Sequence, residues 1–468
     1  MDKYKALAFN TAIISAGTLL SKLVVFFMVR FYTGVLTPAE YGTGDLIITT
    51  AGLLVPFVSF GVSEGVFRFV PEYPQLQKSV FTTGICTVTV GAALLIALLP
   101  LLGLMEDIRS YLALLALMTM AACYHSVCQQ YVRAKGNTIL FAKQGLFNTM
   151  LVVLFNILLL KVFDLGITGY VLSVGLADFF CTVYLVVKSR LWEQLTRRPG
   201  RELARKMLRY SIPLIPTTVF WWITSVSDRY MITAMLGSSA NGIYTVANKI
   251  PTLLTLLSGV LVQAWQYSAV SEAKNSLREQ TDFYGNVWLA LMSFMFVAAS
   301  VMAALARAEI HILADEEYFE AWRYVPILCA AMLFCAFTSF MGSVYTVTQK
   351  SGNSLWTSLL GAGINIALNA VLIPSRLGIY GAALATLASY FVVFLVRARN
   401  ARRFIPFRLF KKTLLVCTAA LTAQIVFMTL ELNGWQLAQL ASAVIIMLAG
   451  RKQLAEKLGI LLQSVKGK

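Results

Sequence analysis

Charge is scarce in this chain. Only 13% of its 468 residues are Asp, Glu, Lys or Arg, about half the share of an ordinary soluble domain. Histidine is scarcer still, at two residues. His125 and His311 stand alone, which leaves no pattern for a two-histidine metal site. The seven cysteines lie in apolar stretches without ligand spacing, so they read as small core or lipid-facing residues. No GxxxxGK[ST] loop occurs, and no soluble segment is large enough to hold a nucleotide. No long loop carries paired carboxylates or a nucleophile with its base, which speaks against an enzyme. No cofactor is called for.

What fills the chain instead is apolar sequence: 58% hydrophobic residues and a mean hydropathy of +0.72. Runs of about 20 apolar residues recur, which a bilayer span needs and a soluble core helix does not. The expected fold is an all-α integral membrane protein of about fourteen helices. They run roughly 6–30, 39–66, 77–103, 108–132, 138–161, 168–188, 210–236, 241–269, 282–306, 321–348, 354–374, 378–397, 410–430 and 434–450.

The net charge of +17 would suit nucleic acid, but its placement suits a membrane. With the N terminus inside, 30 of the 39 basic residues fall in cytoplasmic segments and six at the outer side. That asymmetry predicts both termini in the cytoplasm. Three basic residues remain within spans: Lys22, Arg229 and Lys249.

A repeat crosses the chain. Thr37-Pro-Ala-Glu-Tyr-Gly42 aligns with Ser238-Ser-Ala-Asn-Gly242, Gly136-Asn137 with Gly352-Asn353, and Leu165-Gly-Ile-Thr-Gly169 with Leu377-Gly-Ile-Tyr-Gly381. Six spans per repeat give two parallel halves with a cleft between them. The expected divisions are a lobe at 1–190, a basic linker at 191–209, a second lobe at 210–400, and an extra helix pair with a basic tail at 401–468.

Polar residues spaced i, i+4, i+7 share one helix face. Thr11, Ser15, Thr18 and Lys22 do so on the first span; Thr217, Trp221, Thr224 and Asp228 do so on the seventh. Asp45, Thr49, Gly52, Pro56, Ser59 and Ser63 form a stripe on the second, and Tyr244, Asn248, Pro251, Thr255 and Ser258 one on the eighth. Such stripes can be interhelical hydrogen-bonding glue or the wall of a hydrated cavity. A charge inside a span costs roughly 2.5–3.5 kcal/mol on insertion scales, which favours the cavity. Lys22 and Asp228 lie at similar depth, about 16 residues or roughly 24 Å from their cytoplasmic helix ends; they either meet across the cleft in an outward-closed state, or occupy separate faces or snorkel. Arg30, Arg229 and Lys249 gather toward its outer half, with Glu64 and Arg68 at its inner mouth.

The run Asp228-Arg229-Tyr230, then Asn241-Gly-Ile-Tyr244 and Asn248-Lys-Ile250, resembles the central signature of the polysaccharide transporter family, the Wzx-type flippases. These belong to the multidrug/oligosaccharidyl-lipid/polysaccharide exporter superfamily. Gly17-Thr-Leu-Leu-Ser-Lys22 with Leu36-Thr-Pro-Ala-Glu-Tyr-Gly42 is similar to the family's first hairpin. The resemblance implies a bacterial inner-membrane flippase that moves an undecaprenyl-diphosphate-linked oligosaccharide outward by alternating access, for cell-surface polysaccharide export. It implies that Lys22, Arg30, Arg229, Lys249 and Arg68 bind the substrate and that Asp228, Asp45 and Glu64 serve as counter-charges or as ion or proton sites. Trp221, Trp222, Tyr244 and Trp265 would meet the sugar. Implied partners are membrane lipids and the glycosyltransferases and polymerase of the same pathway, with no nucleic acid. A lipid II or sporulation-type flippase, a cation-coupled drug extruder and a membrane glycan polymerase or ligase are the alternatives.

Overall fold

The computed structural model describes residues 3–102, 109–196, 200–272, 276–348 and 350–449. Every regular element among them is helical. The basic residues Arg197, Arg198 and Lys274 and the basic tail after position 450 lie outside the described residues.

The first unit runs to Val226. It holds α1 (Lys3–Thr33), α2 (Pro38–Val58), α3 (Val62–Glu72), α4 (Gln77–Leu102), α5 (Leu112–Ala134), α6 (Thr138–Asn156), α7 (Gly166–Lys188) and α8 (Arg201–Ser211). The second unit begins at Ser227, inside α9 (Ile215–Leu236). It continues with α10 (Ser238–Glu272), α11 (Leu277–Leu313), α12 (Val325–Val347), α13 (Ser351–Leu372), α14 (Ile379–Phe404), α15 (Lys411–Thr429) and the shorter α16 (Trp435–Ala449).

Ten helices among the described residues are long and apolar enough to cross a membrane. This is a multi-pass membrane protein. A helix covers each of the fourteen expected positions, but α1, α9, α10 and α16 are not among the ten. Asp228, Arg229 and a row of Ser and Thr lower the hydropathy of α9, and α16 is only an apolar helix of under 18 residues.

Local sequence explains the helix ends. Thr37 caps α2: its hydroxyl accepts from the Glu40 amide, the Glu40 carboxylate reaches back to the Thr37 N–H at 2.9 Å, and Pro38 takes the first helical position. The expected single span at 39–66 is in fact broken. Phe60 and Gly61 both adopt positive φ, at 49° and 63°, so α2 stops at Val58 and the amphipathic α3 starts afresh. A Cβ on Gly61 would lie 2.9 Å from the Ser211 carbonyl, so glycine also lets α3 seat against α8. Helices in lipid gain nothing from hiding apolar surface from water, so they rely on such close approach. Gly91 of α4 is the extreme case, where an added Cβ would fall 1.7 Å from the Val58 carbonyl.

The repeat survives into the backbone. Gly166 and Gly378 share φ +51°, and Gly169 and Gly381 press on the carbonyls of Leu159 and Leu372. Residues 41–50 and 241–250 show the same order of buried and half-buried positions. The extra pair is pinned by amides: Gln424 of α15 bonds Ser300 of α11 and Gln439 of α16. Arg397, at the end of the span expected at 378–397, is one of the thirty basic residues that the charge asymmetry assigns to cytoplasmic segments, yet the structure buries it. Its guanidinium donates to Thr357 Oγ1, Ser358 Oγ and the carbonyls of Thr338 and Ser354. Neutral acceptors thus hold a charge that loop position alone would leave in water.

Candidate functional site

Among the described residues each unit buries a carboxylate near tyrosine and amide side chains. In the second unit the carboxylate is Asp228, on the polar face of α9 and 9% exposed. One of its oxygens accepts from the Tyr244 hydroxyl at 2.5 Å, the other from the Arg229 amide at 3.0 Å. Tyr244 lies one α-helical hairpin away and is wholly buried. The hairpin turn at Gly237, φ +92°, is what returns α10 alongside α9.

The polar network then spreads to the later helices of that unit. Ser227 donates to Asn365 Oδ1 at 3.3 Å, Asn369 donates to the same oxygen at 3.0 Å, and Asn365 donates to Thr386 at 3.3 Å. Asn248, one turn beyond Tyr244, bonds the Tyr244 carbonyl. Arg229 and Lys249 are both half-buried at the flanks of this network. Thr233 donates back to the Arg229 carbonyl at 2.8 Å, ordinary glue of a serine- and threonine-rich membrane helix.

In the first unit the carboxylate is Asp45 of α2, 6% exposed. Tyr170 interacts with it and with two further tyrosines. The ring of Tyr170 sits 5.0 Å from that of Tyr32 and 5.6 Å from that of Tyr41. Asn156 donates to the Tyr32 hydroxyl at 3.2 Å. Gly44 makes this possible, since its missing Cβ is the space the Tyr170 ring fills. At the matching place 200 residues on stands Tyr244. The two units therefore reach a buried acid-and-phenol pair by different substitutions at repeated positions.

The expected residues divide as follows. Asp228, Arg229 and Lys249 stand at or beside one network in the second unit. Asp45 is buried in the first. Lys22 and Arg30 belong to α1 of the first unit and are exposed. Glu64 and Arg68 are exposed on the amphipathic α3. Arg68 lies 4.3 Å from the Tyr210 ring and 3.5 Å from the Glu72 carboxylate. Trp222 donates its indole N–H to the Thr49 carbonyl at 3.2 Å. The side chains of Thr11, Ser15, Thr18, Thr217, Trp221, Thr224 and Trp265 lie outside the described residues.

Sequence reasoning passed over Tyr32, Asn156, Tyr170, Asn365 and Asn369. A signal existed: Asn365 and Asn369 share a helix face by spacing, and Asn156 recurs as Asn369 when the halves are aligned. No group of three or more potential metal ligands occurs among the described residues.

This architecture defines a membrane protein of repeated helical halves with charged and amide-rich interiors. The chain matches the family described as polysaccharide biosynthesis protein over residues 7–267, and it belongs to that family. An uncharacterized membrane protein of Methanocaldococcus jannaschii is 21% identical over 413 residues, 79% of each chain. Among solved structures, the lipid II flippase MurJ in an inward closed conformation matches with a TM-score of 0.73 at 13% identity, over 96% of this chain and 99% of that one. An inward-facing multidrug resistance MATE transporter of the MOP superfamily matches with a TM-score of 0.60 at 12% identity, over 82% and 95%. A MOP superfamily transporter from Pyrococcus furiosus, described as having a binding pocket of reversed polarity, matches at 0.55 and 13%, over 86% and 96%. At such identities the likeness establishes the MurJ- and MATE-like fold.

Proposed function

We propose that this protein is a flippase that carries an undecaprenyl-diphosphate-linked oligosaccharide from the cytoplasmic to the outer leaflet of the bacterial inner membrane. The observation that carries the reading is the second unit's network: a buried Asp228 with Arg229 and Lys249 half-buried beside it, in a chain of a polysaccharide biosynthesis family. A charge is kept in a membrane-length helix against a cost of several kcal/mol only where it has work or a partner. A diphosphate headgroup is a partner of the right sign, and Lys and Arg bind it by charge-assisted hydrogen bonds.

In this reading Lys22, Arg30, Arg229, Lys249 and Arg68 receive the headgroup, while Asp228, Asp45 and Glu64 balance the charge when no cargo is present. The two repeated halves alternate access, and the lipid tail stays in the bilayer. Both termini face the cytoplasm, supported by the excess of Lys and Arg in alternate loops. Transport rather than catalysis is supported by neighbours named as a flippase and as transporters.

A second reading, a flippase of lipid-linked peptidoglycan precursors, is favoured by the breadth of the MurJ match. One experiment separates them. Cells lacking the protein should accumulate a lipid-linked oligosaccharide in the inner leaflet and recover export with the native chain. Arg229→Ala and Lys22→Ala should fail to restore export at normal protein levels. Full export by both variants would remove the cationic site, and accumulation of peptidoglycan precursor alone would favour the second reading.

A further inference from the structure

Three helices of the first unit meet around a histidine that the transport reading does not use. α5 supplies His125, α6 supplies Gln144 and Asn148, and α7 supplies Asp178 and Cys181. His125 Nε2 lies 2.8 Å from Gln144 Oε1, and His125 Nδ1 lies 3.0 Å from Asp178 Oδ1. The histidine and aspartate side chains are 11% and 16% exposed.

The hydrogen count at this cluster is constrained. Gln144 Nε2 donates to Gln129 Oε1 at 3.1 Å, and the Cys181 thiol donates to Gln144 Oε1 at 3.3 Å. Gln144 therefore turns its oxygen toward the ring, and Nε2 must carry a hydrogen. Nδ1 then faces a carboxylate oxygen. A bare Nδ1 there would set a lone pair against an ionised oxygen and leave a net negative charge buried among apolar helices. One additional proton removes both penalties. Asn148 Nδ2 donates to the same Asp178 oxygen at 2.9 Å. That oxygen thus already acts as an acceptor, and the hydrogen between it and Nδ1 rests on the ring.

Among the described residues two thiols interact with the pair, Cys123 with Asp178 and Cys181 with His125, and Cys128 interacts in turn with Cys181. Cys123 and Cys128 lie on the same helix as His125, and Cys181 lies on α7. α6 presents the neutral Gln144 and Asn148 to the pair. From α2 comes the Val55 carbonyl, which meets Cys123, and from α3 comes Ser63, which meets Ser126.

We propose that His125 and Asp178 form a proton-binding site in the first unit, occupied at neutral pH as an imidazolium–carboxylate pair, whose release loosens the α5–α6–α7 packing and couples proton movement to transport. On release the Nδ1–H bond breaks and the proton passes to water. No other bond changes, and the pair is left with one net negative charge and a repulsive contact between α5 and α7. The coupling role rests on the transporter reading; the protonation state does not.

The test uses the full chain in lipid nanodiscs with ¹⁵N-labelled histidine. Two histidines give two ring systems, and His311→Asn assigns the remaining one to His125. At about pH 7.5 a free imidazole is mostly neutral, whereas the His125 ring should show both nitrogens protonated. Asp178→Asn should convert it to a singly protonated ring. A singly protonated ring in the native chain overturns the proposal. The coupling arm measures cargo movement in proteoliposomes under an imposed proton gradient. Asp178→Asn and His125→Gln should each cut the stimulation by the gradient about tenfold, within the range of ordinary coupling energies. Stimulation equal to the native chain in both variants overturns the coupling. If the native chain moves no cargo under any gradient, the transport reading and the coupling role fall together, and the spectrum alone decides the proton site.

Discussion

Asp228 accepts from the Tyr244 hydroxyl and from backbone amides. Tyr244→Phe removes the phenol and leaves a buried carboxylate oxygen without its donor, at a cost of about 1–3 kcal/mol. The expected outcome is a lower thermal unfolding midpoint in detergent, with Asp228→Asn recovering part of the loss in the double variant. An unchanged midpoint would show that Asp228 is held by something other than this bond. At this scale the sequence was half legible. Asp228, Tyr244 and Asn248 could be found because they sit on periodic polar faces of adjacent helices. Asp178 gives no such periodic signal. Its partner His125 lies 53 positions away on another helix, and no local spacing connects them. Arg397 shows the converse error: a basic residue near a helix end was read as a loop charge, whereas Thr357, Ser358 and two carbonyls draw it inside.

At the scale of helices, close approach at glycine is what holds the bundles. Gly91→Ala would drive a methyl into the Val58 carbonyl, and Gly381→Ala would place one 2.5 Å from the Leu372 carbonyl. Each should destabilise its unit by about 1–3 kcal/mol. Gly145 of α6 meets nothing within 4 Å, so Gly145→Ala should be neutral or stabilise by roughly 0.5–1 kcal/mol. Thermal unfolding of the three variants checks the ordering, and equal midpoints would contradict it. The repeat was legible here, because the Leu-Gly-Ile-x-Gly turns are dictated by left-handed glycine and recur in both halves. The break between α2 and α3 was not. It depends on Phe60 taking positive φ beside Gly61 and Gly65, which pack closely on Ser211, a tertiary contact that no local spacing announces.

For the whole molecule, the fold class could be read from hydropathy because a bilayer imposes one solution on the backbone: every amide must be bonded within its own helix. The sidedness expected from the charge asymmetry is open to a direct check. Single cysteines at Lys188 and Lys350 should react with a membrane-impermeant maleimide only after the cytoplasmic face is opened, and one at Glu317 should react in intact cells. The reverse pattern would invert the topology and the direction of transport with it. Substrate identity was not legible in the same way, since a cationic interior names the sign of its ligand and not its sugar.

The central claim is that positive side chains on α1, α9 and α10 receive an anionic lipid-linked headgroup. The measurement closest to it is translocation of a fluorescent polyprenyl-diphosphate glycan in proteoliposomes, comparing the native chain with Lys22→Gln, Arg229→Gln and Lys249→Gln combined. The account predicts rapid exposure of the glycan on the far leaflet with the native chain and a loss of about 100-fold or more in the triple variant, as expected when several charge-assisted bonds to one headgroup are removed. Equal rates from both proteins, with both correctly folded, would contradict it.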